Sequence, residues 1–318
     1  MKQVSKILPY VFTISLFAVG FYVATNVRDI IDWWRLRDYT ASAQIESLAN
    51  TSGMSSVARR LFYVHDPVVL DKASFREKCT VDEETIVLGC YITHQRIYIY
   101  DVQDDRLAGV EEVTAAHEML HAAYDRLTPK EKEHLARLLD DAFSRISDQR
   151  IIENIATYRS KDASVVHNEM HSILGTEVRQ LPQELEAHYK KYFTDRLKVV
   201  TKAEQYASEF QAREDRIATY DEELSQMNGE ISRLQADLKD MSTNLAQERE
   251  IVESLRGNPK EFNAAVSTYN SHVSSYNSLV NQVKVKIDAY NTMIVERNAI
   301  AFEERELVEA IDTRIDSL

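Results

Sequence analysis

Val113-Thr114-Ala115-Ala116-His117-Glu118-Met119-Leu120-His121-Ala122-Ala123-Tyr124 is the stretch on which the fold turns. Val113, Ala116, Leu120, Ala123 and Tyr124 recur at a helical period with no Gly or Pro among them, so the spacing predicts an α-helix. On that helix His117 and His121 stand at i and i+4, one turn apart on a single face. Two imidazoles so placed can bind one zinc ion at about 2.0–2.1 Å each. Glu118 projects beside them, close enough to take a proton from a metal-bound water. With 9 His in 318 residues, an H-E-x-x-H is expected by chance in about 0.02 such chains. The competing reading is a pair of partly buried helix histidines with structural partners.

Upstream of this helix, residues 84–92 and 96–101 are rich in β-branched and aromatic side chains, with Thr93-His-Gln between them, which reads as a β-hairpin. Leu61-Phe-Tyr-Val resembles a short strand, and residues 39–60 form a polar, small-residue connector. Cys79 and Cys90 fall beside this hairpin. They are not a C-x-x-C pair, and a disulfide between them would close a short loop if the domain lies outside the cytosol. Two buried free thiols are the alternative.

Further upstream, residues 7–27 carry no charge and are mostly apolar, close to the ~20 residues that cross a bilayer. Trp33 and Trp34 follow, as in an interfacial aromatic belt. The expectation is a single-pass anchor in the cell membrane, with residues 1–38 as anchor and juxtamembrane segment and the rest on the extracytoplasmic side. A cleaved signal peptide is the alternative.

Downstream, Thr128-Pro129-Lys130-Glu131 is a capping box with Pro at the first helical position. A helix covers residues 151–158. Another starts near Ser164 and ends at Gly175 as a C′ residue, and Pro182 opens the next. From Ala203 to Leu255 a 3–4 alternation of apolar residues marks a coiled-coil seam, with Arg213 and Glu248 as charged exceptions. Gly257-Asn-Pro breaks it, and a second seam runs through Phe262, Val266, Tyr269, Val273, Tyr276, Val280, Val283, Ile287, Tyr290 and Ile294. Two seams joined by a tight break predict an antiparallel helical hairpin. In the recurring Tyr-Asn pairs, Tyr is read as seam packing and Asn as setting register.

The net charge of −13 and pI near 5.2 offer no basic patch for nucleic acid. Only 7 Gly and 5 Pro favour long helices over sandwiches or barrels.

A catalytic zinc site takes three protein ligands and one open position. The best segment for the third ligand is Asn168-Glu169-Met170-His171-Ser172. H-E-x-x-H followed by a downstream N-E-x-x-S resembles the gluzincin metallopeptidases. The resemblance spans residues 113–124 and 167–175, with the preceding hairpin. It implies His117, His121 and Glu169 as ligands of Zn2+, Glu118 as general base, and a peptide or protein substrate. His171, His167 and Glu177 are rival third ligands. The family often places an Asp four residues after the ligand Glu; here that position is Ile173, and Glu112 or Ser172 must steady a histidine instead. Tyr124, Tyr158, His171 and His188 are candidate oxyanion donors, and residues 96–100 a candidate edge for pairing with extended substrate.

The fold class expected is mostly α with a small β-hairpin or sheet (α+β): a zincin-like catalytic domain over residues 39–195, then a long antiparallel coiled-coil hairpin over 196–318, with room for a coiled-coil partner. The function expected is a membrane-anchored zinc metallopeptidase. The rival is a non-enzymatic envelope scaffold built on the coiled coil, with a structural or degenerate metal site.

Overall fold

Side-chain caps set several of the helix starts. Ser42, Ser55 and Asp71 accept hydrogen bonds from the backbone N–H groups of Ile45, Ala58 and Ser74 at the heads of α2 (Ala43–Thr51), α3 (Ser56–Val64) and α4 (Lys72–Lys78). Thr128 and Glu131 form the full capping box of α6 (Pro129–Phe143), as the sequence predicts. Asp148 caps α7 (Gln149–Lys161). The computed structural model describes residues 16–79, 86–93 and 95–314, which fall into two units, residues 1–207 with 310–318, and residues 208–309.

The first unit wraps helices around α5 (Val110–Asp125), whose residues Ala115, Ala116, Met119, Leu120 and Ala122 are fully buried. Beside it lies a three-stranded sheet in the order β1 (Val68–Leu70), β3 (Ile97–Tyr100), β2 (Gly89–Tyr91). β1 runs parallel to β3 and β2 antiparallel. Ile97 and Ile99 point into the main core, while Tyr100 packs with Phe75 and Cys79 in a second cluster on the other face. Cys79 and Cys90 are joined by a disulfide, Cα to Cα 6.0 Å. α8 (Val166–Glu177) and α9 (Gln183–Tyr189) close the unit around α5.

Three sequence expectations change here. Residues 61–64 are the last turn of α3 rather than a strand; four apolar residues do not distinguish the two, and the Ser55 cap decides for helix. Gly175 lies inside α8 rather than ending it. A Cβ on it would come within 2.6 Å of Leu120 Cδ1 and 2.7 Å of Tyr189 Cε1, so the residue is a contact point between helices.

The third change concerns the membrane. Among the described residues no helix is long and apolar enough to cross a bilayer, so the single-pass placement and the extracytoplasmic assignment that depended on it are withdrawn. Residues 7–15 of the expected span lie outside the described residues. Residues 16–25 are helical, the chain bends at Asn26, and α1 (Val27–Leu36) carries Arg28, Asp29, Asp32 and Arg35. Asp32 is buried and accepts two hydrogen bonds from the Arg126 guanidinium, at 2.6 and 3.0 Å, which docks α1 on the first unit.

In the second unit two long helices pair, α10 (Leu197–Ser254) and α11 (Pro259–Ile311), joined through a 3₁₀ turn at Leu255–Gly257. Their cross-links run antiparallel: Arg213 to Glu303, Asp221 to Arg297, Glu230 to Lys286, Glu248 to His272. Both charged seam positions thus find polar partners on the facing helix. Tyr269, Tyr276 and Tyr290 are half-buried in the seam, but Asn270, Asn277 and Asn291 face solvent and set no register.

Candidate metal centre

α5 and α8 bring the centre together. The i, i+4 spacing puts His117 and His121 on one face of α5, and the close approach at Gly175 brings α8 alongside. Glu169, in the first turn of α8, then lies opposite both imidazoles: its Oε1 is 3.7 Å from His121 Nε2 and its Oε2 3.7 Å from His117 Nε2. One ligand atom from each of the three lies within 4.8 Å of the others, and together they could hold a metal ion. Tetrahedral ligands about 2.0–2.2 Å from one ion stand roughly 3.3–3.6 Å apart, close to the spacing seen. Glu169 Oε2 is buried without a hydrogen-bond partner, a state that a cation would relieve. The donor set therefore fits a metal. His117 and Glu169 keep side-chain exposures of 19% and 14%, which leaves one side of the group within reach of solvent.

The surroundings orient these groups. Ser172 Oγ lies 3.3 Å from His121 Nδ1, leaving Nε2 to face Glu169. Ser172, not Glu112, is the steadying partner; Glu112 is paired with Lys202 at 2.7 Å. Tyr158 lies beside Glu169 and helps to lower its pKa. Burial raises the Glu169 pKa, but the neighbouring imidazoles of His117 and His121 outweigh it, and the net shift is downward. Glu118 is buried beside the group, and burial, reinforced by the charge of Glu169, pushes its carboxyl up to about 7. The backbone N–H of Tyr91 in β2 donates to it.

The rival third ligands stand elsewhere. His167 is 3.1 Å from Asp140, and Glu177 accepts from Arg150 at 2.6 Å. His171 is fully buried, with its Nε2 3.0 Å from His188 Nε2 and its carbonyl accepting from Tyr189 at 2.7 Å. Burial drives the His171 imidazole well below its ordinary value and His188 down to about 4. Tyr124 packs near the His171 ring and under Lys132. Of the four candidate oxyanion donors, Tyr158 lies beside Glu169 of the metal group.

β3 is paired on both sides and offers no free edge; the edge strand next to α5 is β2. Gly89 makes that placement possible, since a Cβ there would sit 2.5 Å from Thr114 Cγ2 and 2.8 Å from Glu118 Oε1. Gly89, Gly175 and the Tyr91 amide are the site's contributors that the motif does not reveal. An isolated glycine inside a strand or helix pattern is the only sequence signal for the first two.

No protein-family model, curated protein or solved structure matches the chain.

Proposed function

We propose that the chain is a zinc-dependent peptidase of gluzincin type, with His117, His121 and Glu169 as ligands and Glu118 as general base. The observation that carries this reading is Glu118 itself: a purely structural ion has no use for a carboxyl buried beside its ligands. Two histidines and a carboxylate with an open side are the donor set of a hydrolytic zinc site. A bound zinc ion supplies an acidified water and polarises the carbonyl under attack. Glu118 takes the proton of the attacking water and delivers it to the departing amine nitrogen, and a neighbouring cation favours its carboxylate form. Tyr91 fixes the direction of that carboxyl through its amide, and Ser172 holds His121 by Nδ1. The outer edge of β2, which has no strand partner among the described residues, gives an extended peptide a backbone to pair with beside Glu118.

The test is metal content and peptide hydrolysis on the same samples. Wild type should bind about one zinc per chain and cut a peptide library. Glu118→Gln should keep the zinc and lose at least ~10²-fold in turnover. Equal turnover in the two proteins would sink the enzyme reading and favour the scaffold built on the hairpin.

A further inference from the structure

β2 is short, and its outward backbone groups meet different fates. Tyr100 N–H donates to Leu88 O at 2.8 Å and Ile92 N–H to Arg96 O at 2.9 Å, so residues 88, 90 and 92 face β3. By the alternation of an antiparallel ladder, residues 87, 89 and 91 face the open edge. The Tyr91 amide is taken by Glu118. Gly89 has no partner on that edge among the described residues. Val87 is closed on both groups by one side chain: Thr313 Oγ1 accepts from Val87 N–H at 3.3 Å and donates to Val87 C=O at 2.6 Å.

Thr313 belongs to the segment that follows α11 and is part of the first unit. It is fully buried. Arg76 of α4 donates to the carbonyls of Thr313 and Arg314, Tyr100 Oη donates to Ala310 C=O at 3.1 Å, and Asp312 pairs with Arg314. The segment is therefore tied to the disulfide-linked lobe at several points and imitates a strand partner at one residue only.

We propose that residues 310–314 are a strap that ends the substrate-pairing edge at Val87 and limits how far a peptide extends past the cut. The proposal rests on the peptidase reading above. Antiparallel pairing is the more stable ladder and runs the peptide's C-terminal end from Tyr91 towards Val87. The four residue steps between them span about 13 Å, room for roughly four extended residues. The preferred substrate is then a peptide with a short stretch after the scissile bond and no such limit before it.

Two peptide series test this, one lengthened after the cut and one before it, with zinc-loaded full-length protein. Wild type should lose about tenfold in kcat/KM once more than roughly four residues follow the cut, a difference the size of one or two hydrogen bonds. It should show no such loss in the other series. Thr313→Val keeps the shape and removes the hydroxyl; it should speed amide exchange at Val87 and flatten the first series while short peptides are cut as before. A chain ended after Ile311 should do the same if the valine leaves the strap in place. A flat first series in wild type overturns the strap while sparing the peptidase. So does a length limit that survives faster exchange at Val87. Wild type that holds zinc and cuts no peptide overturns both readings.

Discussion

The two units are both built mainly of helices, yet they bury very different amounts of themselves. In the first, α5 is enclosed by α8, the sheet and the helices around them, and Ala115, Met119 and Leu120 lose all contact with solvent. In the second, the helical stretches 208–254 and 259–309 meet along a line, and most seam residues, the tyrosines among them, are only half-buried. A pair of helices has a seam and no interior. Holding Glu118 near neutral pKa requires an interior, because desolvation is the force that raises it. Among the described residues the one group able to hold a metal lies in the first unit.

Breaking the ligand set should separate the units most sharply. His117→Ala or His121→Ala should weaken zinc binding by more than the roughly 10–100-fold typical of outer-shell changes, since two remaining ligands rarely suffice. Ile231→Asp, at one of the most buried positions of the hairpin, should leave zinc content unchanged while lowering helical content on heating. Zinc lost equally from both proteins would mean that the hairpin holds the site up.

A pair of glycines sharpens the same contrast with opposite signs. Gly175→Ala forces a methyl against Leu120 and Tyr189 and should destabilise the first unit by about 1–3 kcal/mol. Gly229, in α10, has nothing within 4 Å of its missing Cβ, and Gly229→Ala should stabilise its helix by about 0.5–1 kcal/mol. Denaturant melts of both variants check the signs; a neutral Gly175→Ala would show that α5 and α8 do not touch as closely as described.

What was legible in the sequence follows the same division. The hairpin is written locally, in 3–4 spacing and a Gly-Asn-Pro break, so its two helices could be read directly. His117, Glu118 and His121 are likewise local, one turn of one helix. Glu169 is far along the chain, and composition and spacing alone did not choose it over His171, His167 and Glu177; the resemblance did, and the geometry brings it to the histidines. Gly89, Gly175 and Tyr91 act through the approach of separate elements, which no local period encodes. The edge strand was misplaced for a similar reason: residues 96–100 have the stronger β composition because they are the central, most buried strand.

Removing a supporting contact should cost less than removing a ligand. Ser172→Ala frees His121 Nδ1 and should weaken zinc affinity about tenfold, the lower end for such partners, with the fold intact. Competition with a chelator measures it; an affinity equal to wild type would mean that the serine only packs.

The smallest effect lies at the other end of α5. Glu111, in its first turn, accepts from Val102 N–H at 3.2 Å, and the helix N-terminus favours its carboxylate. Burial wins, with help from a hydrogen bond to Asp101 and its charge, and lifts Glu111 to about 7. The folded protein therefore binds a proton there that the unfolded chain, near the ordinary value of 4.5, releases first. A pKa raised on folding contributes stability that is fully present below 4.5 and is lost as pH rises to about 7. Glu111→Gln mimics the protonated form at every pH, retaining a donor for Asp101 and an acceptor for Val102. Its Tm should match wild type at pH 4, exceed it by a few degrees at pH 8, and show a gap that opens between those two and then levels. The hairpin supplies the control: Glu230, fully exposed and paired with Lys286, has its pKa lowered by that contact, so Glu230→Gln should change stability in the opposite sense or not at all. A Glu111→Gln gap that is constant from pH 4 to pH 8 would mean that folding leaves the pKa of this carboxyl unchanged, and that burial at the head of α5 is weaker than at Glu118.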